Sequence, residues 1–223
     1  MSTAEFLATV PLFSNVPADE LQHFADLTRG KQYPRGSVIL FEDDPGDSLY
    51  VVREGRVKVV LVAEDGREVI LGVLGPGDHF GELSLIDKQP RSAHVIAMED
   101  SHLLVLLQED FERRVTMSPE LAWAMLVELS RRLRRADDKI GGLVLLDVPG
   151  RIARLLLDTV QACGGDTIDK PLTHQTIAQI VGASRETVSR AMSEFQEAGE
   201  ISVERRRVRV VDAAALTRRA TVR

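Results

Sequence analysis

Cysteine and long apolar runs are scarce in this chain of 223 residues. The single cysteine, Cys163, excludes an intramolecular disulfide framework, an all-cysteine zinc site and an iron–sulfur cluster held by one chain. No apolar run reaches the roughly 18 residues that a membrane-spanning helix needs. The N-terminal segment lacks the basic and apolar regions of a secretory signal. We therefore expect a cytoplasmic protein with no membrane partner.

Positive charge is in deficit over the whole chain, whose net charge is −6. That total argues against a nucleic-acid partner, but it averages two unlike parts. Residues 149–223 carry 12 basic and 9 acidic residues, a net charge of +3, and the other 148 residues carry 16 basic and 25 acidic residues, a net charge of −9. This asymmetry is more informative than the total.

Residues 31–107 are rich in Val, Ile and Leu in strand-length segments, separated by turns that contain Gly, Pro and Asp. This pattern predicts a β-sandwich or β-barrel. Before it, residues 17–29 have the apolar stripe of a short amphipathic helix.

A long helix is predicted to follow the strands. Ser118 is a suitable N-cap, and Pro119 suits the first helical position. Apolar residues then recur at alternating spacings of four and three, at Ala122, Leu126, Leu129, Leu133, Ala136, Ile140 and Leu143. A heptad stripe this narrow favours a partner helix and hence a homodimer. Packing onto the barrel of the same chain is the alternative, and both can hold over different turns.

The C-terminal region has the pattern of a helix-turn-helix. Pro149 and Gly150 break the chain and predict a hinge, and residues 151–162 predict a new helix. Thr173 then caps a helix over residues 174–181, and Ser184 caps a second helix after a glycine turn. In such pairs the second helix enters the DNA major groove.

The first turns of that second helix carry side chains that can read bases. Arg185 and Arg190 can donate to guanine, and Glu186 can accept from cytosine. A β-hairpin predicted over residues 201–211 holds Arg205, Arg206 and Arg207 at its turn. These arginines form a candidate wing that contacts DNA phosphates. A solvated turn is the alternative.

The most specific pattern in the strand region is FGELS followed by PRSA. A turn that begins at Gly81 offers backbone N–H groups to an anion. Arg91 supplies a charged guanidinium that can donate two hydrogen bonds to a phosphate. Glu82 can accept from a sugar hydroxyl. The set fits a small cyclic phosphodiester with a free ribose hydroxyl. A Glu82–Arg91 ion pair that braces a loop is the alternative.

The string FGELSLIDKQPRSA resembles the phosphate-binding cassette of cyclic-nucleotide-binding domains, and GASRETVSR resembles the recognition helix of the cyclic-AMP receptor protein (catabolite activator protein) family of bacterial transcription regulators. The resemblance implies an α+β protein with three parts. These are a cyclic-nucleotide-binding β-roll or jelly roll (residues 1–117), a dimerisation helix with a hinge (118–148) and a winged helix-turn-helix (149–223). It implies a homodimer that binds palindromic, TGTGA-like double-stranded DNA when a cyclic nucleotide is bound. The sequence itself shows no nucleophile–base pair, metal-ligand cluster or phosphate-transfer loop, so no enzyme activity is expected.

The resemblance also implies residue roles. Arg91 would bind the cyclic phosphate and Glu82 the ribose hydroxyl. The remaining residues of the implied nucleotide site are Gly81, Leu83, Ser84, Ser92, Arg132, Ala136 and Asp137. The implied base contacts are Arg185, Glu186 and Arg190, and the implied phosphate contacts are Thr173, Gln175, Ser184 and Thr187.

The chain departs from the family where Ala136 and Asp137 replace a threonine and a serine that bind adenine in relatives that respond to cyclic AMP. Cyclic AMP remains the expected effector. The Asp137 carboxylate can accept from both guanine donors, so cyclic GMP is a second candidate and cyclic di-GMP a third. The alternative is that Asp137 has no role in base choice and is a solvated aspartate paired with an arginine.

The sequence is also compatible with two other functions. The protein could bind DNA without a ligand, or could be a nucleotide-binding module that acts through protein contact. Contact with RNA polymerase through Arg29 and Lys31 is also left open, because the matching third basic position is acidic, around Glu109 and Asp110. No metal site is predicted, since His79 and His94 are weak evidence for one.

Overall fold

In the computed structural model, residues 1–13, 16–169, 172–205 and 207–221 are described, and the chain divides into two units, Met1–Leu133 and Arg134–Arg223. Among the described residues, no helix is both long and apolar enough to cross a membrane.

The first unit is built around two four-stranded antiparallel sheets. Their strand orders are β1-β8-β3-β6 and β2-β7-β4-β5. The strands are β1 (Arg29–Tyr33), β2 (Val38–Leu40), β3 (Ser48–Glu54), β4 (Val57–Val62), β5 (Glu68–Leu74), β6 (His79–Phe80), β7 (His94–Ala97) and β8 (Ser101–Leu107). Sheet neighbours such as β1 and β8, or β4 and β7, are distant in sequence, as in a jelly roll. The predicted sandwich is confirmed.

Turn chemistry fixes where these strands end. Gly55, between β3 and β4, has φ 84°, and a Cβ there would lie 2.4 Å from Ser101 Oγ. Only glycine fits both constraints at this turn. Between the sheets lies an apolar core that includes Val52, Val57 and Leu103.

Helices cover one side of the first unit. They are α1 (Thr3–Ala8), α2 (Ala18–Leu27), α3 (Glu82–Asp87) and α4 (Gln108–Met117). The helix predicted over residues 17–29 is α2, whereas α1, α3 and α4 were not predicted. Phe24 of α2 is buried with Leu49 of β3 in a second apolar cluster.

The long helix is α5, Pro119–Leu145. Ser118 Oγ accepts from the backbone N–H of Leu121 at 3.3 Å, as the predicted N-cap requires. Leu121 and Met125 are buried in the helix-side core of the first unit. By contrast, Leu126 and Leu133 of the heptad stripe are 57% and 63% exposed. The first turns therefore pack on their own chain, and most of the stripe does not.

The second unit pairs helices with a small sheet. Its elements are α6 (Val148–Cys163), β9 (Thr167–Ile168), α7 (His174–Val181), α8 (Arg185–Glu197), β10 (Ile201–Glu204), β11 (Arg207–Val210) and α9 (Ala213–Arg219). The sheet order is β10-β11-β9. Ile152, Ile177 and Phe195 are fully buried between the helices. The predicted helix pair and hairpin are confirmed, and β9 and α9 were missed.

One boundary needs correction. Pro149 and Gly150 were expected to break the chain, but both lie in the first turn of α6. Asp147 is the N-cap, and its Oδ1 accepts from Gly150 N at 2.8 Å. Proline is favoured in a first helical turn because its missing N–H is not needed there. The joint between α5 and α6 is therefore the pair Leu146–Asp147, which we call the joining segment.

Candidate functional site

Arg91 is a buried arginine held by backbone carbonyls. Its Nη1 donates to Gly81 O at 2.7 Å and its Nη2 to Ser48 O at 2.9 Å. The side chain is only 3% exposed, and Asp47 Oδ1 lies 3.6 Å from Nη2. Burial is the main influence on Arg91 and lowers its pKa, yet the guanidinium stays charged. Among the described residues, its Nε has no hydrogen-bond partner.

Two glycines allow the backbone to approach this guanidinium. Gly81, between β6 and α3, has φ 87°, and a Cβ there would lie 2.8 Å from Arg91 Nη1. A Cβ on Gly46 would lie 2.2 Å from Ser84 Cβ. Any side chain at these positions would displace Ser84 or Arg91.

Glu82 is a buried carboxylate, 2% exposed, at the start of α3. Its Oε1 accepts from Arg132 Nη1 at 2.8 Å, and no donor in the described part of the chain reaches its Oε2. Burial raises the pKa of Glu82, while the charge of Arg132 acts in the opposite direction. The alternative of a Glu82–Arg91 ion pair is wrong, because the carboxylate is bonded to Arg132 of α5 instead.

Arg132 connects α5 to the Glu82 pocket. Besides Glu82, its Nη2 donates to His79 O at 2.6 Å and its Nε to Glu128 Oε1 at 3.3 Å. His79 itself is buried, and burial lowers its pKa to about 3. It is therefore a neutral imidazole, which fits its place beside a guanidinium.

The other residues of the implied nucleotide site divide into two groups. Ser84 is buried with its Oγ 3.4 Å from Arg91 Nη1, whereas Leu83 is 44% exposed and Ser92 is exposed. Ala136 and Asp137 follow Arg132 by about one helical turn, are exposed and belong to the second unit. Their role toward a base stays a prediction.

The chemistry of the pocket follows from its unpaired atoms. Buried polar atoms are normally hydrogen-bonded, and an orphan suggests a missing partner. Here one orphan, Arg91 Nε, is a cationic donor, and another, Glu82 Oε2, is an anionic acceptor. A ligand that offers an anionic oxygen and a hydroxyl satisfies both. These residues therefore fit a phosphorylated sugar.

In the second unit, α7 and α8 form the predicted helix-turn-helix. Thr173 Oγ1 accepts from Thr176 N at 3.0 Å, and Ser184 Oγ accepts from Thr187 N at 3.1 Å. These hydroxyls cap the helices, so they are already engaged as acceptors. Gln175 is exposed on α7.

The exposed side of α8 gathers the predicted base-reading residues. A shallow concave surface is lined by Arg185, Glu186, Ser189, Arg190 and Ser193. The opposite side buries Val188, Met192 and Phe195. The side chains that remain outward are donors and acceptors suited to base edges.

Two arginines of the wing hairpin form ion pairs that the sequence did not predict. Arg205 lies at the turn with φ 47°, and Arg206 lies outside the described residues. Arg207 Nε is 3.3 Å from Asp169 Oδ1, and Arg209 Nε donates to Asp166 Oδ2 at 2.8 Å. Sequence reasoning missed both aspartates, because they approach the hairpin only through the β9–β11 pairing.

Comparisons with known proteins identify the families of both domains. Residues 30–116 match the cyclic nucleotide-binding domain family, and residues 150–219 match the Crp-like helix-turn-helix domain family. The chain is 35% identical over 97% of its length to the CRP-like cAMP-activated global transcriptional regulator of Mycobacterium tuberculosis, of which it covers 99%.

Two solved structures show the same architecture. The catabolite activator protein of Thermus thermophilus is 34% identical, with a TM-score of 0.55 over 94% of this chain and 98% of that one. The c-di-GMP responsive global regulator CLP of Xanthomonas campestris is 26% identical, with a TM-score of 0.75 over 87% of this chain and 99% of that one. The chain therefore belongs to the CRP family of cyclic-nucleotide-binding, DNA-binding transcription regulators.

Proposed function

We propose that cyclic AMP binds between Arg91 and Glu82 and switches a homodimer into a state that binds palindromic DNA. The observation that carries the ligand proposal is the pair of orphaned buried atoms, Arg91 Nε and Glu82 Oε2. A cyclic phosphate oxygen completes the bonding of the guanidinium, and a ribose 2′-hydroxyl donates to the carboxylate. The likeness to a relative named as cAMP-activated supports the choice of adenine.

Guanine is the second candidate base. Asp137 stands on α5 with its carboxylate exposed, and a carboxylate matches the N1–H and 2-amino donors of guanine. A solved relative is described as responsive to c-di-GMP, which makes cyclic di-GMP a further candidate.

The homodimer proposal rests on the heptad stripe of α5. Leu126, Leu133, Ile140 and Leu143 are between 47% and 63% exposed in the single chain. Apolar residues in heptad register that face solvent are stabilised when a second helix covers them. Two α8 helices related by a two-fold axis then match two half-sites one helical turn apart.

On DNA, the proposed base contacts are Arg185, Glu186 and Arg190, with Thr173, Gln175, Ser184 and Thr187 near phosphates. Arg205, Arg206 and Arg207 of the wing add phosphate contacts. In this proposal the protein acts by binding rather than by catalysis. As a transcription regulator, it works in the cytoplasm.

Calorimetry with cyclic AMP, cyclic GMP and cyclic di-GMP tests the ligand. We expect Arg91→Gln to weaken binding of cyclic AMP about 10- to 100-fold, because a charge-assisted bond to phosphate is lost. Arg67→Ala is the control, since Arg67 is 81% exposed and paired with Asp65. A strong preference for cyclic AMP that Asp137→Ala retains would contradict a role of Asp137 in base choice.

A gel-shift assay tests the switch. The probe is a duplex with a TGTGA half-site and its inverted copy one helical turn apart, at one stated salt concentration. We expect a shifted band only with nucleotide. Equal binding without nucleotide would support a constitutive regulator. No binding at low salt, with or without nucleotide, would reject the TGTGA palindrome as the DNA target.

A further inference from the structure

The last helix of the second unit, α9, contacts the start of α6. A Cβ on Gly150 would lie 2.8 Å from the carbonyl oxygen of Arg219 and 3.0 Å from Asp147 Oδ1. Asp147 is the N-cap of α6 and one of the two residues of the joining segment. The end of α9 therefore touches the first turn of α6 at a position that only glycine leaves open.

The side chain of Arg219 reaches the recognition helix. Its Nε lies 2.8 and 3.0 Å from the two carboxylate oxygens of Glu200, and its guanidinium stands 4.9 Å from the ring centroid of Phe195. Phe195 is fully buried in the last turns of α8. A single residue thus contacts α6 through its backbone and α8 through its side chain.

Glu200 extends this connection to the wing. It is 8% exposed and lies in the turn between α8 and β10. Its backbone N–H donates to Phe195 O at 2.9 Å, and its carbonyl accepts from the N–H groups of Val211 and Asp212. The Arg219–Glu200 pair therefore joins the end of α8, the start of β10 and the start of α9.

A cavity adjoins the place where α9 approaches the joining segment. A cavity of about 650 Å³ is lined by Leu146, Asp147, Glu200, Arg218 and Arg219, among others. No side chain of the described residues fills this space, and beside it the backbone of Gly150 closely approaches the carbonyl oxygen of Arg219.

We propose that Arg219 is a positioning residue that couples the joining segment to the recognition helix and wing. A change in the direction of Leu146–Asp147 is carried through Gly150 and Arg219 to Phe195 and Glu200, and so to the placement of α8. The inference rests on nucleotide control of DNA binding by this chain. It adds the series of contacts by which a change at the joining segment reaches the recognition helix within the second unit.

Two variants break this route at its two ends. Arg219→Ala removes the contacts with Glu200 and Phe195, and Gly150→Ala forces the backbone of α9 away from α6. Arg218→Ala is the matched control, since it removes an exposed arginine from the same turn of α9. If Arg219→Ala fails to fold, Arg219→Lys retains the charge but loses the planar guanidinium over Phe195.

The first measurement is hydrogen–deuterium exchange without ligand, which reports local opening. We expect Arg219→Ala to speed exchange both in residues 146–151 and in residues 195–200, and Arg218→Ala to change neither. Faster exchange confined to α9 would overturn the proposal. This measurement does not depend on any DNA site or nucleotide.

The second measurement is the ratio of DNA affinities with and without saturating nucleotide. A merely structural role lowers both affinities and leaves the ratio unchanged. Coupling predicts a ratio at least about fivefold smaller in Arg219→Ala and Gly150→Ala, with the nucleotide affinity of the DNA-free chain unchanged. An unchanged ratio in both variants would overturn the proposal. If the unmodified chain shows no nucleotide effect, nucleotide control itself fails, and hydrogen exchange alone decides the route.

Discussion

At the scale of the single residue, Glu82 shows two opposing influences on one carboxyl group. Burial favours the neutral acid, and the Arg132 guanidinium favours the carboxylate. Burial is the larger influence, so the pKa of Glu82 is raised in the folded protein. Below its unfolded pKa the group is protonated in both states. As pH rises through the folded pKa, the folded state must ionise a buried acid, and its stability falls.

The direction of this pH dependence distinguishes Glu82 from the carboxylate of an ordinary ion pair. We expect the stability cost of Glu82→Gln to be largest below about pH 4.5, the ordinary pKa of a glutamate, and to shrink as pH rises toward 7, because only the unmodified chain loses this stability. Each pKa unit corresponds to about 1.4 kcal/mol. Urea unfolding at three pH values measures the cost. A cost that grows with pH would mean that Arg132 outweighs burial.

Sequence reasoning works unevenly at this scale. Glu82 and Arg91 are nine positions apart, and both were identified from a local pattern. Arg132 was assigned to the site only through the resemblance, because its contact with Glu82 spans 50 positions. The carbonyls of Gly81 and Ser48 that hold Arg91 carry no side-chain signal, so no sequence pattern could reveal them.

At the scale of the element, the wing sheet carries its own competing charges. Arg207 and Arg209 alternate with buried Val208 and Val210, so both arginines point to the outer side of β11. Asp169 and Asp166 pair with them there. Exposed ion pairs of this kind contribute about 1 kcal/mol or less to stability, but their acids repel an approaching phosphate.

We therefore expect Asp169→Asn to tighten DNA binding about two- to fivefold and to steepen its salt dependence, because Arg207 is released for phosphate. Affinity measured across a salt series checks this. Asp65→Asn is the control, since Asp65 is also exposed, is paired with Arg67 and changes the net charge equally. An equal gain in that control would mean that net charge alone is responsible.

Several helices with local capping signals were predicted, whereas a strand that depends on a distant partner was not. Ser118, Thr173 and Ser184 cap helices that the sequence identified. Strand β9 has two residues and exists through its pairing with β11, which no local pattern encodes. Helix α1 did carry a usable signal, since Ser2 and Glu5 form a capping box.

At the scale of the whole molecule, the proposed homodimer depends on the heptad stripe of α5. Leu133 is 63% exposed and lies in the middle of the heptad pattern. A lysine there would place a charge in a helix–helix contact, and burial of an unpaired charge is costly.

We expect Leu133→Lys to shift the chain from dimer to monomer and to weaken DNA binding more than tenfold, because the two half-sites are then bound independently. Sedimentation at several concentrations measures the first effect. Met117→Lys is the control, since Met117 is 70% exposed at the end of α4, away from the stripe. A monomeric unmodified chain would contradict the dimer.

Cys163 ends α6 with its thiol exposed, and it is the only cysteine of the chain. A spin label can therefore be attached to the DNA-binding unit without first removing other thiols. In a two-fold symmetric dimer the two labels form one pair. The distance distribution of that pair, recorded by pulsed electron resonance, then follows how far the two DNA-binding units move apart when an effector is added.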